Sequence, residues 1–231
     1  MPIPNIGGLM QQYPALGILP KSFLLGNDFA DFAAELKGSL EVVRWTFYHF
    51  RAYAAAGHVQ LQYFNQNLGD ATNGIADTNM VVGGQLAGGE GMIVRNIRVV
   101  PIPSQAQAFV TNGPAVALQE WYNVLQNNCW LEFQVGDKLY VRGAPLTLFP
   151  AGQGLGAQHT ASAAAATTIN ASVVQNGDPS NRALWELDPP IYVPATRNLS
   201  VTLNWRAVQA VTGATSRLGV MLDGWKVRLV Q

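Results

Sequence analysis

The chain's stock of metal-binding chemistry is three histidines, His49, His58 and His159, and one cysteine, Cys129. A zinc or iron centre on a β framework needs several nitrogen, sulfur or carboxylate ligands brought together at suitable spacing. None of the three histidines belongs to a His-x-His pair, and His159 lies among small residues. Their placement predicts structural or solvent-facing roles and no metal site. Four carboxylates, Glu132, Asp137, Glu186 and Asp188, are candidates for glycoside chemistry, which requires two carboxyl groups facing each other across the scissile bond. Glu132 falls on the polar side of an alternating segment, where it reads as solvated or paired with a basic neighbour. The run Gly152-Gln153-Gly154-Leu155-Gly156 has the wrong spacing and flanks for a dinucleotide loop. The chain has no Gly-Lys-Ser/Thr phosphate loop and no Gly-x-Ser-x-Gly nucleophile elbow. Rings that could stack on sugars are Trp121, Tyr122, Trp130, Trp185, Tyr192, Trp205 and Trp225, although Trp205 and Trp225 sit on apolar strand faces and are expected in the core. Asn170-Ala171-Ser172 and Asn198-Leu199-Ser200 match the glycosylation sequon, which matters only in a secreted chain. The expectation is a protein without catalytic, cofactor-binding or metal residues, and no enzyme.

The composition turns attention from pockets to surfaces. Only 12% of the 231 residues are charged, with 14 basic residues balancing 14 acidic ones. Ordinary domains carry about twice that charge density, and low net charge favours association. The balance also lacks the basic excess that phosphate contacts demand, so no specific nucleic-acid site is expected. The lone Cys129 excludes an intrachain disulfide. The opening Met1-Pro2-Ile3-Pro4-Asn5 has no signal-peptide pattern, and no apolar run reaches the ~20 residues of a membrane helix. A soluble protein made in a cytoplasm is expected, with membrane contact left open.

The elements that must position these groups are mostly strands. Residues 1–27 mix Pro and Gly with apolar side chains, which predicts an extended amino-terminal arm laid on its own domain or a neighbour. The single main domain is expected over 28–231. It opens on a short helix at 28–41, with Asn27 or Asp28 as N-cap and Phe29, Phe32, Ala33, Leu36 and Leu40 at helical spacing. Beyond it the period becomes two. Val43, Trp45 and Phe47 share a face. So do Val59, Leu61 and Tyr63; Ile93, Ile97 and Val99, with Arg95 as the odd member; Leu131, Phe133 and Val135; and, after a Gly136-Asp137 turn, Leu139 and Val141. Leu199, Val201, Leu203 and Trp205 form another such strand. Asp223-Gly224 is expected to turn a terminal hairpin. A second helix is expected over 118–127, and 150–183 reads as a long, weakly structured loop. About eight strands result, the count of one antiparallel sandwich.

The last third resembles jelly-roll capsid proteins of viruses and bacteriophages, including icosahedral phages with an internal membrane. The resemblance rests on residues 184–206, LWELDPPIYVPATRNLSVTLNWR, and 218–230, LGVMLDGWKVRLV. In that family a strand leads into a Pro-Pro segment, here Asp188-Pro189-Pro190-Ile191. A short turn follows, here Pro194-Ala195-Thr196-Arg197-Asn198, then an alternating strand. The closing strand carries Leu-x-Gly-x-x-x-Arg, here Leu222 to Arg228. The resemblance implies an all-β jelly roll, with a single barrel favoured over a double one because about sixteen strands fit poorly in this length. It further implies a self-assembling shell subunit of a virion. Its partners would be itself, as trimers, pentamers or hexamers, and other virion proteins, with assembly in the host cytoplasm. The alternatives are a receptor- or glycan-binding sandwich of a spike or fibre head and, less favoured, a cupin-like enzyme.

Overall fold

The computed structural model describes residues 6–25, 28–29, 32–33, 39–70, 73–102, 128–146, 156–159, 172–175, 185–195, 197–211 and 216–230. The chain begins with helix α1 (Ile6–Gln12), a 3-10 turn (Pro14–Ile18) and helix α2 (Lys21–Leu24). The strands are β1 (Ser39–Tyr53), β2 (Gln60–Tyr63), β3 (Glu90–Ile102), β4 (Cys129–Val135), β5 (Lys138–Pro145), β6 (Gly156–His159), β7 (Ser172–Gln175), β8 (Trp185–Val193), β9 (Leu199–Trp205) and β10 (Ser216–Val230).

Setting aside the small β6–β7 ribbon, the eight remaining strands among the described residues pair first with last. β1 runs antiparallel to β10, β2 to β9, β3 to β8, and β4 to β5. Two further pairings, β10 with β3 and β9 with β4, complete the sheets β1-β10-β3-β8 and β2-β9-β4-β5. This is the order of one long hairpin rolled into two facing sheets, a single jelly roll. The ribbon lies within 150–183, where Gly156 to His159 pairs with Gln175 to Ser172. The helix expected at 118–127 lies outside the described residues.

The period-two segments explain why the sheets close on each other. Leu131, Phe133 and Val135 of β4 and Leu199, Val201, Leu203 and Trp205 of β9 all enter one buried cluster, where they meet Phe47 and Leu61. Alternation puts each set on one face, and burial at about 25 cal/mol per Å² of apolar surface drives the two faces together. At Gly136-Asp137 the two-residue hairpin forms as expected. Val135 pairs with Lys138, and Gly136 supplies the positive φ of 58° that the tight turn requires.

A second cluster covers the outer face of the β1-β10-β3-β8 sheet. Ile93, Tyr192, Trp225 and Val227 meet Leu16, Phe23, Phe29 and Phe32. Residues 6–25, expected as part of an extended arm over 1–27, instead adopt two short helices and a 3-10 turn. Tertiary burial of Leu16, Leu19, Phe23 and Leu24 outweighs weak local propensity. Helical backbone recurs at 28–29 and 32–33, with Phe29 and Phe32 buried. Leu40 is already in β1, where Leu229 is its partner, so it does not continue that helix.

Three expectations drawn from alternation and turns fail, each at an irregularity of the ladder. β10 runs unbroken through Asp223-Gly224 instead of turning there. Asp223 pairs with Asn96 and Gly224 with Val94, which leaves Arg95 as the extra residue of a β-bulge. A Cβ at Gly224 would strike the Ile93 carbonyl, so glycine serves close backbone approach here. The same bulge changes the phase of β3: Met92 and Val94 point into the sandwich before it, Ile97 and Val99 after it, and Ile93 faces the arm. Ile93 therefore does not share a face with Ile97 and Val99. In β5 the register skips Tyr140, so Val141 opposes buried Phe133 while Leu139 opposes exposed Gln134 and is itself exposed.

Candidate functional site

The carboxylates singled out by type do not converge as one pair. Glu186 and Asp188, on β8, line a cleft of about 440 Å³ with Asp28, Lys138, Tyr140 and the Pro189-Pro190 pair. Glu132 is half-buried on β4, and Asp137 is exposed at the β4–β5 turn, in a separate shallow hollow beside Arg197. Glu186 is engaged by Arg95 through two contacts of 3.0 and 3.1 Å. The bulge thus gives Arg95 two partners, Glu186 and the Trp225 ring 5.9 Å from its guanidinium. Asp28 does not lie idle either. Its carboxylate accepts the Tyr192 backbone N–H at 3.2 Å and meets Lys138 at 3.4 Å, tacking the arm to β8. The Lys138 ammonium covers the Tyr140 ring at 4.1 Å, so that aromatic face of the cleft is occupied from within. Partial burial works against the Lys138 charge, but Tyr140 and Asp28 hold its pKa above the usual lysine value.

The histidines are dispersed. His49 is fully buried on β1. Its Nδ1 accepts the Phe64 N–H at 2.7 Å, while Nε2 has no hydrogen-bond partner among the described residues. Desolvation, with Arg51 nearby, lowers its pKa to about 4, so the ring is neutral at pH 7. His58 accepts the Ala54 N–H through Nε2 at 3.1 Å, and burial lowers its pKa too. The His159 side chain lies outside the described residues, although its backbone belongs to β6. Among the described residues no three His, Cys, Asp or Glu side chains gather as a metal-ligand set. Cys129 is buried, and desolvation pushes its thiol well above the ordinary value.

The aromatic platform is equally divided. Trp205 lies in the sandwich core, edge-on to Tyr53 at 5.6 Å. Trp225 is buried on the opposite face of its sheet, beneath the arm, where Tyr192 also packs edge-on to Phe32 at 5.1 Å. Trp130 is half-buried. Trp121, Tyr122 and the Trp185 side chain lie outside the described residues.

What the surface does present is a braced apolar projection, which residue-type reasoning missed. In the β2–β3 connection Ile75 is 72% and Val81 66% exposed, with Leu68 and Val82 also outward. The connection is clamped to β1 and β10. Tyr48 Oη donates to the Ile75 carbonyl at 2.5 Å, and Asn79 accepts from Tyr48 N–H and donates to the Thr46 carbonyl. Arg217 reaches both the Ala76 carbonyl and the Asp77 carboxylate at 2.6 Å. Phe50 N–H donates to the Asp77 carbonyl at 2.6 Å. The sequence signal available was the apolar Ile75, Val81 and Val82 within a loop otherwise rich in Gly, Asn and Asp. Such a loop normally keeps polar side chains at its tips.

The strand edges complete the surface. β8 is guarded by Pro189 and Pro190, which lack N–H groups, and by the Asp28 bond to Tyr192 N–H. β2 has only four residues. β5 carries Lys138, Arg142 and the irregularity at Tyr140. The 77–79 segment covers β1 from Thr46 to Phe50. Among the described residues no helix is long and apolar enough to cross a membrane. No family model, curated protein or solved structure matches the chain.

Proposed function

We propose that this protein is a self-assembling shell subunit of a virion. The observation that carries the reading is the braced projection of the β2–β3 connection. A loop free to relax would turn Ile75 and Val81 inward, whereas a lattice of hydrogen bonds and the Arg217–Asp77 ion pair holds them out. Exposed apolar groups on a rigid support suit burial against a neighbour of fixed geometry. The low charge density supports the same reading, and so does the single jelly roll, an architecture also found in lectins and cupins. Fold alone does not fix function. The shell reading therefore rests on the surface and on the sequence resemblance.

Light scattering and negative-stain imaging over a concentration series test it. The full chain is expected to form trimers, pentamers, hexamers or closed shells at micromolar concentration. Ile75→Asp and Val81→Asp should suppress assembly while leaving the far-ultraviolet spectrum unchanged. A monomer at every concentration overturns the reading and turns attention to the glycan- or receptor-binding alternative.

A further inference from the structure

Among the described residues, one half-edge of the roll is neither blunted nor covered. Along β1, the backbone groups of Thr46, Tyr48 and Phe50 point away from β10 and are taken by the 77–79 segment. The β1–β10 register is unbroken from Ser39 to Tyr53, so the N–H and C=O groups of Val42 and Arg44 point the same way. Among the described residues nothing bonds them. Beside this open edge stand the exposed apolar side chains Val43, 38% accessible, and Trp45, 41% accessible. The 3-10 turn that carries exposed Ile18 borders the same strand. Natural sheets blunt or cover such edges unless another strand uses them.

We propose that residues 41–45 of β1 pair antiparallel with the same residues of a second copy, about a two-fold axis at Val43. The proposal names one contact of the shell and rests on that reading. In this register Val42 and the second copy's Arg44 exchange both backbone bonds, and symmetry repeats the pair, so the four open groups on each chain are satisfied. Val43 meets its own counterpart. The occupant is identified by length and by charge. The 77–79 segment stops any added strand at Thr46, and an identical edge is limited by the same stop. On the face of β1 that carries Glu41, Val43 and Trp45, charge is complementary across the axis. Trp45 carries the Lys226 ammonium over its ring at 5.3 Å and lies opposite the second copy's Glu41. Arg228 holds that Glu41 carboxylate in its charged form by a direct hydrogen bond. Each Lys226 thereby gains a further anion beyond its own Glu90, 2.6 Å away, and the Glu41 of its own chain. An isologous pairing of this kind is self-complementary and closed, as two-fold contacts within a shell must be.

Cysteine cross-linking of the full chain reads the register. Facing residues of a non-hydrogen-bonded antiparallel pair have Cα atoms about 4.5 Å apart, inside the range of roughly 4.4–6.8 Å that a disulfide spans. Val43→Cys is expected to give a covalent dimer under mild oxidation. Arg44→Cys is the control. Its two copies lie about 8 Å apart in this register, beyond disulfide reach, and should cross-link about tenfold less. Both positions are exposed, and circular dichroism verifies that each variant is folded. Equal cross-linking of the two variants, or none of Val43→Cys, overturns the pairing. Wild-type light scattering run in parallel separates the two claims. Assembly without Val43→Cys cross-linking removes this contact and spares the shell reading. A register-specific dimer from a chain that goes no further retains the contact and removes the shell.

Discussion

Phe23→Ala tests whether the arm is part of the fold's core. Phe23 is fully buried and packs edge-on to Phe32 at 5.7 Å and Phe29 at 5.9 Å, and this trio roofs Tyr192 and its neighbours on the outer sheet face. Truncating a buried phenylalanine typically costs about 3–5 kcal/mol through lost transfer energy and the cavity left behind. Each edge-to-face pair accounts for roughly 0.5–1.5 kcal/mol of that. A domain of this size unfolds in urea with a slope of about 2–3 kcal/mol per molar. The midpoint should therefore fall by roughly 1–2.5 M. The drop has a ceiling, because the arm can leave the sheet as a unit once its docking energy is exceeded. Leaving would uncover Ile93, Tyr192, Trp225 and Val227, so the sheet itself is weakened as well. The assay is urea denaturation followed by tryptophan fluorescence, with limited proteolysis to follow residues 6–33. A midpoint within about 0.2 M of wild type would refute the reasoning, since the arm would then contribute nothing to the stability of the roll.

Three other outcomes follow from the buried groups. His49 has a folded pKa of about 4, below its ordinary value near 6.5. The unfolded chain binds more protons between those values, so stability falls as pH drops from about 6.5 to about 4, by roughly 3 kcal/mol in the limit. In urea melts across that range the slope should largely vanish in His49→Gln, leaving the smaller contribution of His58, which has the same sign. Asp223 is held by Arg98, at 2.5 and 2.8 Å, and by Thr46. Asp223→Ala strands the largely buried guanidinium and should cost roughly 2–4 kcal/mol, whereas Arg98→Leu combined with Asp223→Leu should recover most of that loss; equal melting of the two variants refutes the account. The Cys129 thiol, buried and with a raised pKa, should resist Ellman's reagent at pH 8 until urea unfolds the chain, and rapid labelling of the native protein contradicts that burial.

The sheets were legible where the chemistry of alternation is local. β4 keeps Leu131, Phe133 and Val135 on one face, β9 keeps Leu199, Val201, Leu203 and Trp205 on one face, and the sequence pattern alone identifies both strands. The pattern misled wherever a residue left the ladder. Period two assumes that each residue advances both strands by one step, and a bulge advances only one of them. Arg95 and Tyr140 are such positions, and nothing in their own residue types marks them. Asp-Gly at 223–224 misled for a related reason: the pair that favours a tight turn also suits a bulge at which a backbone carbonyl comes close. The carboxylates were named by type, but their roles depend on partners far away in sequence. Glu186 answers to Arg95, and Asp223, weighed only as half of a turn, answers to Arg98. Those pairings exist only once β3 lies between β8 and β10.

The bulge at Arg95 ties these strands together. Without the extra residue, β3 would keep one phase throughout, and either Met92 and Val94 or Ile97 and Val99 would face away from the sandwich core. With it, one strand serves two clusters in turn. Its amino-terminal half sends Ile93 outward to the arm, and its carboxy-terminal half sends Arg98 outward to Asp223. The side chain of the odd residue is then free to bridge Trp225 and Glu186 across three strands. Arg95→Ala keeps the backbone irregularity, which Gly224 and the flanking core impose, and loses only a half-exposed ion pair and one cation–π contact. Such contacts contribute up to about 1 kcal/mol each. Deleting residue 95 would instead turn every outward residue of half a strand inward and should abolish cooperative folding. A denaturation series that found the deletion no worse than the alanine variant would show that β3 tolerates either phase, and the assignment of two clusters to one strand would fail.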